Sequence, residues 1–132
     1  MSDNAVIYNP SATLVPFLTC EQFISLISGP VGSGKSSAAM MKIAFHASKM
    51  RPGKDGIRRS RAVVVRNTNQ MLTDATIPTF MTWFPEGVAG SYARTSKNFT
   101  LKYDDVECEV LFRGLDDAND VRRLLSLECS FG

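Results

Sequence analysis

Residues 29–36 read GPVGSGKS and match the phosphate-binding pattern G-x-x-x-x-G-K-[ST]. A polyphosphate needs several backbone N–H donors aimed at one point. Glycine allows so tight a loop, because Gly29, Gly32 and Gly34 can take positive φ and place no side chain against the oxygens. Lys35 would neutralise charge on the β- and γ-phosphates, and the Ser36 hydroxyl is a hard oxygen ligand suited to Mg²⁺. The predicted cofactors are therefore ATP and Mg²⁺, with Lys35 as the catalytic residue and Ser36 as the metal ligand.

All predicted nucleotide-binding residues lie in one continuous run of the chain. They are Gly29, Pro30, Val31, Gly32, Ser33, Gly34, Lys35, Ser36 and Ser37. Such a run works between a buried strand and a helix, because the helix adds free N–H groups and the positive end of its dipole. Residues 23–28 (FISLIS) are apolar and β-prone, which predicts the strand. Residues 36–50 carry apolar side chains on one helical face and are followed by Pro52-Gly53, which predicts the helix and its end.

The next part of the chain predicts a βαβ unit and hence an α/β fold. Residues 62–65 (AVVV) form a β-branched run typical of a strand covered on both faces. Strands 23–28 and 62–65, joined through the helix, should be parallel with a right-handed crossover. Further along, the sequence predicts a helical turn at 68–72, a short helix at 77–84 and a loop at 87–96. Alternating apolar residues at 99–103 and 106–112 predict an antiparallel hairpin that turns at Asp104-Asp105. The last predicted element is a helix that Asp117 caps and that runs through 127, with Val121, Leu124 and Leu125 on its inner face.

The bulk composition is that of an ordinary globular domain. The chain has 132 residues, of which 44% are hydrophobic, and a net charge of +2 from 15 basic and 13 acidic residues. So balanced a charge does not by itself indicate nucleic acid or a membrane. No apolar run approaches the roughly 20 residues of a membrane span, and residues 1–9 do not resemble a signal peptide. The spacing of Cys20, Cys108 and Cys129 fits neither a zinc site nor a disulfide framework, which predicts reduced thiols in a cytosolic compartment.

Five separated stretches give the chain a resemblance to a known family. They are 29–37 (GPVGSGKSS), 52–61 (PGKDGIRRSR), 65–68 (VRNT), 83–85 (WFP) and 120–126 (DVRRLLS). Together they resemble the large terminase subunit of tailed bacteriophages, most closely the short-tailed phage type. The resemblance covers nearly the whole chain from about Tyr8 onward. The first stretch is shared by many nucleotide-binding proteins, whereas the IRRSR…VRNT and DVRRLLSLE blocks are more specific.

The resemblance implies a P-loop NTPase fold of the RecA-like, additional-strand type, with an incomplete parallel sheet and an inserted antiparallel hairpin. Members of the family join this ATPase to an RNase H-like nuclease and drive double-stranded DNA through the portal protein into an empty capsid. A small terminase subunit helps to select the genome. The implied location is the cytoplasm of the infected bacterial host.

The sequence departs from the family pattern at its end. The Walker B strand and the nuclease follow in the family, whereas this sequence stops at Gly132. The expected organisation is therefore a lead-in at 1–22 and a partial ATPase domain at 23–132. Phosphoryl transfer needs an oriented water as well as charge neutralisation and metal. Hydrolysis by these residues alone is therefore expected to be negligible, and unpaired edges of strand 23–28 would favour self-association or a protein partner.

Two alternatives to a nucleotide-binding motor fragment remain open. The chain would otherwise act as a protein-binding module without using ATP, for example as a ligand of a bacterial anti-phage immune sensor, since such sensors detect terminase large subunits. A weaker alternative is a small nucleotide-kinase-like P-loop protein, against which the predicted hairpin argues. If Lys35→Ala leaves the binding of a partner protein unchanged, that result would favour the protein-binding module.

Two further groups of residues have a functional and a structural interpretation. Arginines 58, 59 and 61, in a predicted basic loop at 54–61, would contact DNA phosphate or act as an arginine finger, or else form a solvated loop. Tyr8, Phe17 and Gln22 precede the P-loop, where terminases build the adenine pocket, but aromatic residues there also suit a plain core.

The polar residues after the predicted strands also have two interpretations. Arg66-Asn67-Thr68 would sense phosphate at the carboxyl end of a strand, or form a turn and a helix cap. The aspartate pairs at 104–105 and 116–117 fit turn chemistry better than metal binding. His46 is expected to serve in packing or lie at the surface.

Overall fold

The structure, a computed structural model, describes residues 8–9, 12–22, 24–29 and 34–129. Its helices are α1 (Val15–Thr19), α2 (Lys35–Ser48), α3 (Asn69–Met71), α4 (Ile77–Trp83) and α5 (Ala118–Leu125), with a π-helical segment, Leu72–Thr76, between α3 and α4. Its strands are β1 (Arg58–Arg66), β2 (Gly90–Ala93), β3 (Asn98–Tyr103) and β4 (Val106–Gly114). The predicted helices at 36–50, 68–72 and 77–84 are confirmed, as is the strand at 62–65, which extends four residues further toward its amino end.

The four strands form one mixed sheet in the order β1-β4-β3-β2. β1 and β4 are parallel, and β3 pairs antiparallel with both β4 and β2. The predicted hairpin is confirmed, since Tyr103 pairs with Val106 and the turn residue Asp104 has a φ of 48°. The loop predicted at 87–96 is wrong in part, because Gly90–Ala93 adds a strand to the hairpin. This strand has only one large side chain, Tyr92, so its sequence lacks the alternation that identifies a strand.

The strand predicted at 23–28 is wrong for its described part. Ile24–Ser28 has no strand pairing, and the Ile24 and Leu26 residues are 72% and 92% exposed. Phe23 lies outside the described residues. An apolar run becomes a buried strand only when a neighbouring strand pairs with it, and β1 instead pairs with β4. The predicted βαβ unit is therefore replaced by the parallel pair of β1 and β4, whose connection contains α3, the π-helical segment, α4, β2 and β3.

The main core lies between the sheet and the helices α2 and α4. Phe80 of α4 is fully buried and contacts three other rings, with centroids 4.8 Å from Phe84, 5.0 Å from Phe99 and 5.2 Å from Phe112. Helix α2 contributes the predicted apolar face, which consists of Met40, Ile43, Ala44 and Ala47. The Tyr103 hydroxyl donates to the backbone carbonyl of Ala44 and pins the middle of α2 to the hairpin. Burial raises the pKa of Tyr103 to about 12, so this hydroxyl keeps its proton at neutral pH.

Helix α5 begins as predicted but is not packed as predicted. The Asp117 carboxylate accepts a hydrogen bond of 2.9 Å from the Asp120 N–H and caps the helix, which ends at Leu125. Of the predicted inner face, Leu124 is half-buried, whereas Leu125 is 80% exposed and Val121 is also exposed. The inner-face prediction is therefore wrong for these two residues, because helical spacing identifies an apolar face and not a partner that covers it.

Cys20, Cys108 and Cys129 are free thiols, half-buried, buried and exposed respectively. Within the described ranges, no helix has the length and apolar character needed to cross a bilayer.

Candidate nucleotide-binding site

The predicted nucleotide-binding run leads directly into helix α2. Gly34 is the residue before the helix and has φ 87° and ψ 12°, the left-handed conformation that glycine adopts at little cost. The Ala38 N–H donates to the Gly34 carbonyl over 3.0 Å and so closes the first helical turn. The preceding N–H groups of an α-helix have no carbonyl within the helix to bond, so they are donors suited to an anion. Pro30, Val31, Gly32 and Ser33 lie outside the described residues.

Lys35 folds back onto the start of the same run. Its ammonium group donates to the backbone carbonyl of Gly29. Six extended residues would span about 20 Å, so a side-chain contact between positions 29 and 35 requires the two ends of the run to lie close together. The positive charge of Lys35 therefore lies beside Gly29, the first position of the run.

Helix α2 runs antiparallel to β1, which orients the site relative to the sheet. Met50, just beyond the end of α2, accepts a hydrogen bond from the Arg58 guanidinium at the start of β1. Residues of α2 from Ala39 onward and residues 63–65 of β1 line one groove, so the helix lies alongside the strand and its first turn lies toward the carboxyl end of β1. Ligands of α/β sheets bind at the carboxyl ends of the parallel strands. The predicted phosphate-binding helix thus begins at the edge of the sheet where chemistry is expected.

The two serines that follow Lys35 have different surroundings. Ser36, the predicted metal ligand, is exposed. Ser37 is half-buried, and its hydroxyl oxygen accepts a hydrogen bond of 3.0 Å from the indole N–H of Trp83. The ring of Tyr8 meets that indole edge to face, with centroids 5.2 Å apart and planes at 84°. The Tyr8 hydroxyl has no hydrogen-bond partner among the described residues, and burial raises its pKa.

Gly34→Ala is expected to lower the free energy of unfolding by about 1–2 kcal/mol, because the left-handed backbone costs an L-residue that much. The added Cβ would also lie 3.3 Å from a Leu14 methyl carbon. Urea unfolding followed by circular dichroism measures the loss. Gly34→Asn is the matched control, because asparagine visits this conformation more readily and should lose less. Equal stability of Gly34→Ala and wild type would contradict the assigned backbone conformation.

A polar cluster lies at the carboxyl ends of β1 and β4. The Asp116 carboxylate accepts from the backbone N–H of Asn69 over 3.1 Å and from its side-chain amide, whose oxygen accepts from Lys97 over 3.3 Å. Thr68 accepts from the Met71 N–H over 3.1 Å and caps α3. The cap interpretation of residues 66–68 is therefore confirmed, and their phosphate-sensing role stays a prediction. The aspartates at 104, 116 and 117 act in turns and caps.

The three arginines predicted in a basic loop lie in β1 instead. Each contacts at least one carboxylate. These contacts join Arg58 to Asp105 at 3.0 Å, Arg59 to Asp55 at 2.7 Å and to Glu107 at 3.3 Å, and Arg61 to Glu109 at 2.7 Å. The loop prediction failed because cross-strand ion pairs let charged residues form a solvent-facing strand. These pairs lie at the amino half of β1, away from the start of α2. A role in contacting DNA or a neighbouring subunit stays a prediction.

The lead-in residues pack on α2 through a buried lysine. Lys42 is 9% exposed, donates to the Phe17 carbonyl at 2.7 Å and the Ser25 hydroxyl at 2.9 Å, and lies 4.2 Å from the centroid of the Phe17 ring. A groove of about 600 Å³ between α2 and β1 is lined in part by Phe17, Gln22 and His46. Burial, and then the neighbouring lysines 42 and 49, lower the pKa of His46. The adenine-pocket prediction for Tyr8, Phe17 and Gln22 remains a prediction, with Tyr8 at the start of α2 and the other two farther along it.

Sequence reasoning missed Trp83 and Lys42. Trp83 belongs to the WFP stretch of the family resemblance, and it is the only tryptophan of the chain. A tryptophan two residues before a proline gives no sign of a contact with a serine 46 positions earlier. Lys42 lies between Met40 and Ile43 in the sequence of α2, and its charge favours a solvent-facing position. Among the described residues, no three His, Cys, Asp or Glu side chains group to hold a metal ion.

Comparison with protein-family models, with curated proteins and with solved structures found no significant match.

Proposed function

We propose that this chain is the ATP-binding part of a tailed-phage terminase large subunit, the motor that packages double-stranded DNA into procapsids. One observation carries the nucleotide-binding part of the proposal. A left-handed glycine, Gly34, precedes a helix whose first residue, Lys35, reaches back to the carbonyl of Gly29. The terminase part rests on the sequence resemblance, including the IRRSR…VRNT and DVRRLLSLE blocks.

The residues present fit a magnesium nucleotide. ATP would supply the γ-phosphoryl group whose transfer to water drives DNA movement, and Mg²⁺ would neutralise charge on the phosphate oxygens. Lys35 would exchange the Gly29 carbonyl for phosphate oxygens, a stronger acceptor because it is charged. The exposed Ser36 hydroxyl would ligate the metal, and the first N–H groups of α2 would bind phosphate. The portal protein, the small terminase subunit and double-stranded DNA are the partners that the proposal implies.

Lys35→Ala tests the proposal directly. Hydrogen bonds to charged groups contribute about 1.5–3 kcal/mol, so the variant is expected to bind MgATP about 10- to 150-fold more weakly than wild type. Isothermal titration calorimetry with the non-hydrolysable β,γ-imido analogue of ATP measures the dissociation constant without turnover. Lys54→Ala is the matched control, since Lys54 is an exposed lysine in the turn between α2 and β1, beyond the opposite end of the helix.

Three results separate the outcomes of this experiment. Binding that depends on Lys35 and not on Lys54 supports the nucleotide-binding proposal. Binding that both variants lose equally would indicate nonspecific attraction of the anion to a basic chain. No heat of binding in the wild type would overturn the proposal.

A second candidate function, a protein-binding module, is favoured by exposed apolar side chains. Ile24 and Leu26 lie in a segment without strand pairing, and among the described strands β1 pairs on one side only. An edge with free N–H and C=O groups beside apolar side chains is a template for an added strand. If a partner such as an immune sensor uses this surface, Leu26→Asp should abolish its capture while Lys35→Ala leaves it unchanged. The reverse pattern would reject the second candidate.

A further inference from the structure

Trp83 connects the end of α4 to the first turn of α2. Its indole N–H lies 3.0 Å from the Ser37 hydroxyl oxygen, across 46 positions of the chain. The indole is held from its other side by the ring of Tyr8 at 5.2 Å. Phe84, the next residue, packs against the buried ring of Phe80 at 4.8 Å and anchors this end of α4 in the core. The indole is thus fixed to the rigid part of the fold.

The direction of this hydrogen bond determines what the Ser37 hydroxyl can still do. An indole nitrogen can only donate, whereas a serine hydroxyl has one hydrogen to donate and two lone pairs that accept. Ser37 must therefore accept from Trp83, which occupies a lone pair and leaves the hydroxyl hydrogen to be donated elsewhere. Ser37 lies in the first turn of α2, where the neighbouring N–H groups are also donors.

We propose that Trp83 is a positioning residue of the nucleotide site, which orients the Ser37 hydroxyl so that it donates to a phosphate oxygen of a bound nucleoside triphosphate. The inference rests on the proposed nucleotide binding and adds a residue from α4 to it. Trp83 does not touch the nucleotide and acts only through Ser37. Its removal therefore affects binding only while the Ser37 hydroxyl is present.

A double-mutant cycle tests this dependence with the same ATP analogue and Mg²⁺. Ser37→Ala is expected to weaken binding about tenfold, and Trp83→Phe, which keeps an aromatic ring but lacks the N–H, about three- to tenfold. The double variant should bind no more than about twofold more weakly than Ser37→Ala alone, because the two changes remove one interaction. Thr82→Ala, an exposed position on α4, is the control and should bind like wild type.

The tryptophan fluorescence of the wild type gives a second readout that needs no variant of Trp83. Because Trp83 is the only tryptophan, emission reports on this residue alone. An analogue concentration near the wild-type dissociation constant should change the emission of the wild type and change that of Lys35→Ala much less, because the affinity of the variant is expected to be about 10- to 150-fold lower. An unchanged wild-type emission at a calorimetrically saturating concentration overturns the inference.

The outcomes distinguish this inference from the proposed function. If the wild type does not bind, both fail. If the wild type binds and Lys35→Ala weakens binding, but Trp83→Phe binds like wild type, only the positioning role fails. Multiplicative effects in the double variant would likewise overturn it, because they would assign Trp83 a contribution independent of Ser37.

Discussion

Phe80→Ala should lower the free energy of unfolding by about 3–5 kcal/mol, the usual cost of truncating a fully buried phenylalanine. Phe80 is 0% exposed and contacts the rings of Phe84, Phe99 and Phe112. These rings come from α4's end, β3 and β4, so the cavity would open where the helix meets the hairpin. Domains are stable by only about 5–15 kcal/mol, so this one change would remove a large share of the stability.

Equilibrium urea unfolding, followed by circular dichroism, measures this loss. Phe45→Ala is the matched control, because Phe45 is 37% exposed on α2 and its ring has only a partial cover from Lys49 at 4.4 Å. The control should lose about 1 kcal/mol or less. Phe80→Leu, which keeps most of the volume, gives a folded intermediate case if Phe80→Ala does not fold. A loss for Phe80→Ala no larger than that of the control would contradict the position of Phe80 in the core.

Local patterns predicted the elements whose partners are close in sequence. Helix α2 follows from its apolar spacing and from the Pro52-Gly53 pair that ends it. The hairpin of β3 and β4 follows from the alternation on both sides of Asp104. In these cases the residues that stabilise an element lie within it or beside it, so the sequence contains the physical cause.

Elements that depend on distant partners were predicted less well. Residues 24–28 have the composition of a buried strand, yet Leu26 is exposed because no strand pairs with this segment. Arg59 and Arg61 suggested a loop by their charge, yet they lie in β1 opposite Glu107 and Glu109. Strand pairing decides these cases, and pairing across nearly 50 positions is not visible in a local pattern.

The candidate site also has one part that a local sequence pattern predicts and one part that only the fold brings together. The run from Gly29 to Ser37 is identified by its own residues, because phosphate binding uses backbone amides and one lysine that are adjacent in sequence. Trp83 joins it only through the fold, by its hydrogen bond to Ser37, and Tyr8 contacts the Trp83 indole. The sequence therefore identifies the groups that would contact phosphate, while the structure adds the groups that hold them.

Gly114→Ala is expected to lower the free energy of unfolding by about 3 kcal/mol, the upper part of the usual range for overpacking. Gly114 ends β4, and an added Cβ would lie 2.5 Å from the backbone nitrogen of Asn69 and 2.8 Å from the backbone carbon of Thr68. These atoms cannot move away freely, since the Asn69 N–H is bonded to Asp116 and Thr68 caps α3. The carboxyl ends of β1 and β4 would have to separate, which also disturbs the edge at which α2 begins.

Urea unfolding of Gly114→Ala measures this effect against Gly53→Ala. At Gly53 the nearest contact of an added Cβ is a carboxylate oxygen of Asp55 at 3.3 Å, an overlap that a shift of a few tenths of an ångström in this exposed side chain relieves, so the loss should be about 0.5 kcal/mol or less. If the Gly114 variant is as stable as this control, the close approach of β4 to the turn after β1 is wrong. If the Gly114 variant is destabilised but its folded fraction still binds the nucleotide in a Lys35-dependent way, the close contact of Gly114 with residues 68–69 serves stability alone. A joint loss of stability and nucleotide affinity would instead indicate that this contact also sets the geometry of the sheet edge near which α2 starts.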